Sequence, residues 1–160
     1  MSNQGFGIEF KITQSMESKI YEALANILSE LSFVKIVNYE KIRLNLGEFA
    51  EHEIPAIQFY TGGSTYTHEQ SRLNTQMLID VELILKSSTA GVVDQKELFE
   101  KTYAIERKIG ANVYLNLDNS GMIHLIYNST TYDLHSFEPF FISRMSFTAL
   151  FYKGYTRDSC

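Results

Sequence analysis

Thr75-Gln76-Met77-Leu78-Ile79-Asp80-Val81-Glu82-Leu83-Ile84-Leu85-Lys86 is the stretch that decides the fold. Met77, Ile79, Val81, Leu83 and Leu85 fall on one side of an extended chain. Gln76, Asp80, Glu82 and Lys86 fall on the other, with Leu78 and Ile84 as exceptions. A period of two residues marks a β-strand with one buried face, because successive side chains point to opposite sides of the pleat. Thr65-Tyr66-Thr67 precedes it and is rich in strand formers, so the two segments predict a hairpin or a sharply bent pair. The same period returns near the end of the chain. Phe141, Ser143, Met145, Phe147, Ala149 and Phe151 alternate with Ile142, Arg144, Ser146, Thr148, Leu150 and Tyr152, which predicts one long antiparallel strand with a core face and a more polar face.

Outward from these strands the period changes to that of a helix. Met16, Ile20, Leu24, Ile27 and Leu31 recur every three or four residues and predict a helix over 15–31, capped by Ser15 or Thr13 with Glu17 in its first turn. A second helix opens at Asp94, with Glu97 at capping-box spacing. Its stripe is Leu98, Thr102, Ile105 and Ile109, Glu97 and Lys101 form a supporting pair, and Gly110 offers a stop. Shorter strands are expected at Phe33–Val37, Ile42–Leu46, Ile54–Tyr60, Met122–Tyr127 and Thr130–Leu134, with Gly62-Gly63 ending the third of them. The remaining stretches 38–53, 61–74 and 86–93 read as loops. The order is helix, strands, helix, strands. It predicts an α+β fold: a mainly antiparallel sheet with two principal helices packed on it. The domain spans 15–153, with an N-terminal arm at 1–14 and a frayed tail at 154–160.

Composition narrows the function. The 160 residues are 44% hydrophobic and 21% charged, which fits one globular domain and excludes a disordered or collagenous chain. Fourteen Lys and Arg against 19 Asp and Glu give a net charge of -5. With no basic run, phosphate neutralisation cannot supply nucleic-acid affinity. No apolar run approaches the ~18 residues a membrane span needs. Met1–Gly5 carries no charged or apolar leader, so no secretory signal is expected, and the lone Cys160 fits a reducing compartment.

Catalytic patterns are sparse. His52, His68, His124 and His135 show no paired metal-ligand spacing. His52 between Glu51 and Glu53 is a weak candidate for a divalent ion, and a solvated loop is the plainer reading. His135 with Asp133 and Glu138 is the one cluster for a small hydrolase or ligand-binding module. Asp80 and Glu82 form a carboxylate pair on one strand face, read as a solvated surface or subunit contact in preference to an acid/base pair. Gly62-Gly63-Ser64 lacks phosphate-loop spacing, and no activated nucleophile emerges. The expectation is a protein that is not an enzyme and needs no cofactor or metal.

The helix residues Ile20, Ala23, Leu24 and Leu28, the strand Ile54-Pro55-Ala56-Ile57, the Gly62-Gly63 turn, the central strand Leu78–Leu85, the helix Leu98–Ile109 and the closing strand Arg144–Tyr152 are met in that order. In this order the chain resembles the tail terminator, or tail completion, proteins of long non-contractile-tailed bacteriophages. The resemblance implies a ring, usually of six subunits, at the head-proximal end of the virion's tail. Such a ring caps the tail tube, stops its polymerisation and meets the head-completion or neck protein. DNA would pass through the lumen without specific binding, no membrane is involved, and assembly takes place in the host cytoplasm. The family has no invariant site residues to carry over. From charge and loop position, Glu48, Glu51, Glu53 and Arg72 are expected at subunit or tube interfaces. A neck or head-completion role in the same particle is the alternative.

Overall fold

The computed structural model describes residues 15–40, 42–69, 72–87, 95–115, 117, 123–134 and 136–154. The predicted arm at 1–14, the Thr13 cap, Asp94, most of the 86–93 loop, His135, and the tail beyond 154 with Cys160 lie outside the described residues.

The architecture is α+β. Helices α1 (Met16–Leu28) and α2 (Gln95–Gly110) pack on one sheet of five strands. The strands are β1 (Ile36–Asn38), β2 (Ala56–Glu69), β3 (Arg72–Lys86), β4 (His124–Asp133) and β5 (Phe140–Gly154). Their order across the sheet is β1-β2-β3-β5-β4. Among the described strands only β1 and β2 run parallel; every other neighbouring pair is antiparallel.

The period-two reading of β3 is realised: Met77, Ile79, Val81, Leu83 and Leu85 are all buried. They meet the inward residues of β5 and the stripes of both helices in the main core. Ser15 Oγ accepts the Ser18 N–H at 3.1 Å and starts α1. The helix ends earlier than its stripe predicts, and the Ser29 hydroxyl just past its end bonds Ala25 O at 2.7 Å. The Glu97–Lys101 pair forms at 3.0 Å. One polar pair is sealed between α2 and β5. The Thr102 hydroxyl donates to Leu98 O at 2.6 Å and is hydrogen-bonded to the Ser143 hydroxyl at 2.7 Å, both residues being fully buried.

Several expected boundaries move. β2 does not stop at Gly62-Gly63 but continues to Glu69, so most of the predicted 61–74 loop is strand. The glycines form a bulge between Thr61 and Gly63, where Gly63 takes φ +136°, a conformation that a side chain would strain. The two strands expected at 122–134 are one, β4, with a bulge between Tyr127 and Ser129. Glu106 of α2 accepts hydrogen bonds from Tyr127 (2.9 Å) and Thr130 (2.6 Å), pinning that bulge to the helix. The strand expected over 33–37 is a shorter β1 lying later in the chain. No strand forms at Ile42–Leu46; two single 3₁₀ turns, Leu46–Glu48 and Glu51–Glu53, follow it. Gly110 ends α2 without a positive φ, and turn bonds carry the chain on to Leu115.

The Thr102–Ser143 pair gives a double-mutant test. Thr102→Val leaves the Ser143 hydroxyl buried without its partner and should cost about 1–2 kcal/mol in urea unfolding. Adding Ser143→Ala should recover part of that loss, because both polar partners are then gone.

Candidate functional site

The second face of the sheet, away from the helices, holds the most constrained chemistry in the protein. Its centre is Glu82, whose side chain has no exposed surface. A carboxylate that is removed from water is costly unless it is paired and hydrogen-bonded. Here two guanidinium groups and two neutral donors meet it. Arg43 donates from Nε to Oε1 at 3.1 Å and from Nη2 to Oε2 at 3.0 Å, a two-pronged contact. Arg144 donates from Nε and Nη2 to Oε2 at 3.0 and 2.7 Å. Gln58 Nε2 reaches Oε1 at 3.0 Å, and the Tyr60 hydroxyl reaches Oε2 at 2.9 Å. The Arg43 guanidinium also lies over the Tyr60 ring, 5.4 Å from its centre.

The strands bring most of these groups together by register alone. Gln58, Glu82 and Arg144 lie directly opposite one another across β2, β3 and β5. Arg43 arrives from elsewhere. Residues 42–54 cross the second face as a strap, and Gln58 fixes its height. The Gln58 amide accepts from Leu44 N at 2.9 Å and donates to Leu44 O at 3.1 Å, doing with a side chain what a neighbouring strand does with its backbone. This explains the missing strand at Ile42–Leu46: the Leu44 backbone groups are taken up by an amide side chain in place of a neighbouring strand. Below the strap lies a small second core of Phe49, Ala56 and Ile84, flanked by Leu44, Leu46 and Ile54. Ile84, an exception to the period in β3, is buried there.

Electrostatics follow from this geometry. Burial alone would push the Glu82 carboxyl up, but the hydrogen bonds from Arg43, Arg144, Gln58 and Tyr60 outweigh it and hold it below its usual range. Burial, then the nearby Glu82 charge, pushes the Tyr60 phenol up. The expected solvated Asp80/Glu82 pair is therefore corrected. Glu82 is sealed, and Asp80 accepts the Ser146 hydroxyl at 2.6 Å. Alternation shows that two carboxylates share a face; it cannot show that a distant strap covers one of them.

The predicted interface residues fall at opposite ends of the sheet. Glu48, Glu51 and Glu53 sit on the two 3₁₀ turns of the strap. Glu48 accepts from Asn45 Nδ2 at 3.0 Å, and Glu53 from Ala50 N at 2.7 Å. Glu51 lies 3.4 Å from Lys86 Nζ, at the end of β3. Arg72 opens β3, its backbone opposite Glu69 and Gly154. It is fourteen residues from Lys86, about 45 Å along the strand at ~3.3 Å per residue. Of the hydrolase candidates, Asp133 accepts the Ser136 N–H at 2.8 Å and Glu138 is exposed on the following turn. His52 is exposed, and among the described residues no three His, Cys, Asp or Glu side chains converge as metal ligands.

Beyond the strap, among the described residues, the second face exposes large apolar side chains. Leu78, the other exception in β3, is 52% exposed, and Ile126 is 40% exposed two strands away, with Thr148 between them. A groove of about 620 Å³ opens between the start of α1, Tyr39-Glu40 and the β2 bulge, lined by Glu17, Glu22 and Glu40. The Tyr21 phenol at its wall is pushed up to about 12, by burial first and then by Asp80. Among the described residues no helix is long and apolar enough to cross a membrane.

No family model matches this sequence, and no curated protein sequence matches it. A chain from the structure described as the virion of a native gene transfer agent (GTA) particle is similar in fold at a TM-score of 0.42 and 7% identity, over 84% of this chain and 92% of that one.

Two outcomes test the Glu82 cluster. Glu82→Gln leaves two guanidinium groups without their counter-charge and should lower the unfolding free energy by about 3 kcal/mol, read from denaturant midpoints. The pH dependence has a fixed sign. Because the folded carboxyl lies below its ordinary value near 4.5, its contribution is full above about pH 4.5 and is lost as pH falls through the lower, folded value. Acid unfolding followed by circular dichroism should therefore steepen below pH 4.5 in the wild type and flatten in Glu82→Gln.

Proposed function

We propose that this chain is a structural subunit of a phage-like virion, a tail terminator that closes into a ring on the last layer of the tail tube. The observation that carries the reading is the polarity of the sheet. Four strands of ten to fifteen residues run its length, and its two ends differ in chemistry. One end carries the acidic 3₁₀ turns with Glu48, Glu51 and Glu53. The other is the β2–β3 hairpin, with Tyr66, His68 and Glu69 in β2 and Arg72 opening β3 opposite Glu69. A device that stops polymerisation needs two unlike ends, one that fits the growing tube and one that does not recruit another tube subunit. Glu48, Glu51 and Glu53 then belong to one axial interface and Arg72 to the other, one facing the tube protein and one the neck or head-completion protein. Heterologous contacts between copies close into a ring when the rotation permits. Six subunits is the number the resemblance implies. An overall charge of -5 suits a lumen through which DNA slides without being held. The role is mechanical and non-enzymatic, in the virion tail at its head-proximal end, after assembly in the host cytoplasm.

Light scattering of the pure protein should give a mass several times that of one chain, and electron micrographs should show annular particles. Incubated with purified tube protein, those particles should sit on tube ends and limit tube length. Rings that ignore tubes but bind head-completion protein would move the role to the neck.

A further inference from the structure

The helix side of the sheet has two flanks with different surfaces. On one, the outer side of α2 and the adjoining face of β4 form a strip of rings. Phe99, Tyr103, Tyr127 and Tyr132 are 43% to 59% exposed there. Each is fixed by a neighbour. Phe99 and Tyr132 meet edge to face at 5.0 Å, the Tyr127 hydroxyl donates to Glu106 at 2.9 Å, and Arg107 lies over the Tyr103 ring at 5.8 Å. Clustered exposed rings mark contact surfaces, since interfaces are enriched in Tyr, Phe and Arg. The other flank is the groove beside the start of α1. Tyr21, Tyr39 and Met77 give it apolar surface, and Glu17, Glu22 and Glu40 are the charged residues of its described lining.

We infer that the α2–β4 strip of one copy seats in the α1 groove of the next, and that this is the lateral contact of the ring. The inference rests on the ring reading above. Placement is the first argument. Both surfaces lie on the helix side: Tyr127 touches Phe147 of the main core at 5.5 Å between ring centres, and Met77 of the groove belongs to the same core. They lie towards opposite margins, on β4 and on β2. They are also level. Tyr127 pairs with Phe147, Phe147 with Ile79, and Ile79 with Thr61, which lines the groove. Copies set side by side in one orientation therefore bring strip to groove without a step along the strands.

Charge is the second argument. Lys96, Glu100, Tyr103 and Arg107 recur at spacings of three and four along the exposed stripe of α2, giving two cations against one carboxylate. Glu106 beside them is taken up by Tyr127 and Thr130. The groove offers carboxylates around aromatic surface. An arginine stacked on a tyrosine matches both: the ring meets Tyr21, Tyr39 and Met77, and the guanidinium meets Glu22 and Glu40. Two strips placed against each other would instead set like stripes together. Area is the third argument. Four half-exposed rings offer about 400 Å², at about 100 Å² each. That is half of the ~800 Å² that one partner gives to a standard interface, and the helix flank around them adds to it. Because the two surfaces differ, the contact is head to tail and repeats until the ring closes.

Charge exchange tests it on the full chain, with the mass read by light scattering and folding checked by circular dichroism. Arg107→Glu, and separately Glu22→Lys/Glu40→Lys, should each raise the concentration needed for half-assembly at least tenfold. The triple variant should recover most of that loss, because the exchanged charges meet again across the join. Rings of unchanged stability in both charge variants would overturn this docking and leave the ring standing. Losses that the triple variant does not recover would overturn the pairing of these two surfaces. A wild-type protein that stops at dimers, split by Arg107→Glu, would mean that strip meets strip, and would overturn it too. A wild-type protein that stays monomeric at high concentration would overturn the ring reading itself.

Discussion

One carboxylate organises the second face of this protein. Glu82 sits in the middle of the central strand, has no contact with water, and is reached by two arginines, a glutamine and a tyrosine. A buried charge of this kind is weak evidence for net stability, because desolvation offsets much of the attraction. Its strength is as a positional constraint. An apolar strap could settle on an apolar sheet face at several heights, whereas a two-pronged guanidinium contact tolerates only one. Arg43 must meet Glu82, Leu44 must then meet Gln58, and Phe49 and Leu46 are carried into the small core around Ile84. The acidic 3₁₀ turns get their place at the end of the sheet from that anchoring.

The two halves of the sheet's second face follow from where the strap ends. On one side of Glu82 the face is covered and apolar. On the other, among the described residues, Leu78 and Ile126 are exposed on either side of Thr148. The first face shows no such division, since the helices and the main core run along it from Phe141 to Phe151. The protein thus has a conventional core on one side and a half-finished one on the other, with long strands common to both.

Much of this was legible in the amino-acid sequence, and for local reasons. The alternation in Thr75–Lys86 and in Phe141–Tyr152, and the stripes of the two helices, depend only on period and burial. What could not be read depends on contacts between distant segments. Gly62-Gly63 is a strand terminator by composition, and becomes a bulge only because β3 continues alongside to accept the strand beyond it. Asn128-Ser129 likewise reads as a turn until Glu106, from a helix twenty residues earlier, holds Tyr127 and Thr130. Alternation places Asp80 and Glu82 on one face, but nothing within reach of either shows that Arg43 arrives to close over one of them. Charge and loop character group Glu48, Glu51, Glu53 and Arg72 in the sequence, and the length of β3 sends them to opposite ends.

The two bulges also sit at one level of the sheet. That in β2 lies beside Leu78 and Ile79, and that in β4 lies, through Ser146 and Phe147, beside Asp80 and Ile79. Bulges bend a strand and raise its local twist, so both outer strands deflect along the same line while β3 and β5 cross it unbroken. The molecule is therefore mechanically graded. On one side of that line is a block covered on both faces; on the other, among the described residues, is a wing backed on the helix face. A force applied along the strands would be absorbed first by the wing, and the clamped block would keep its shape.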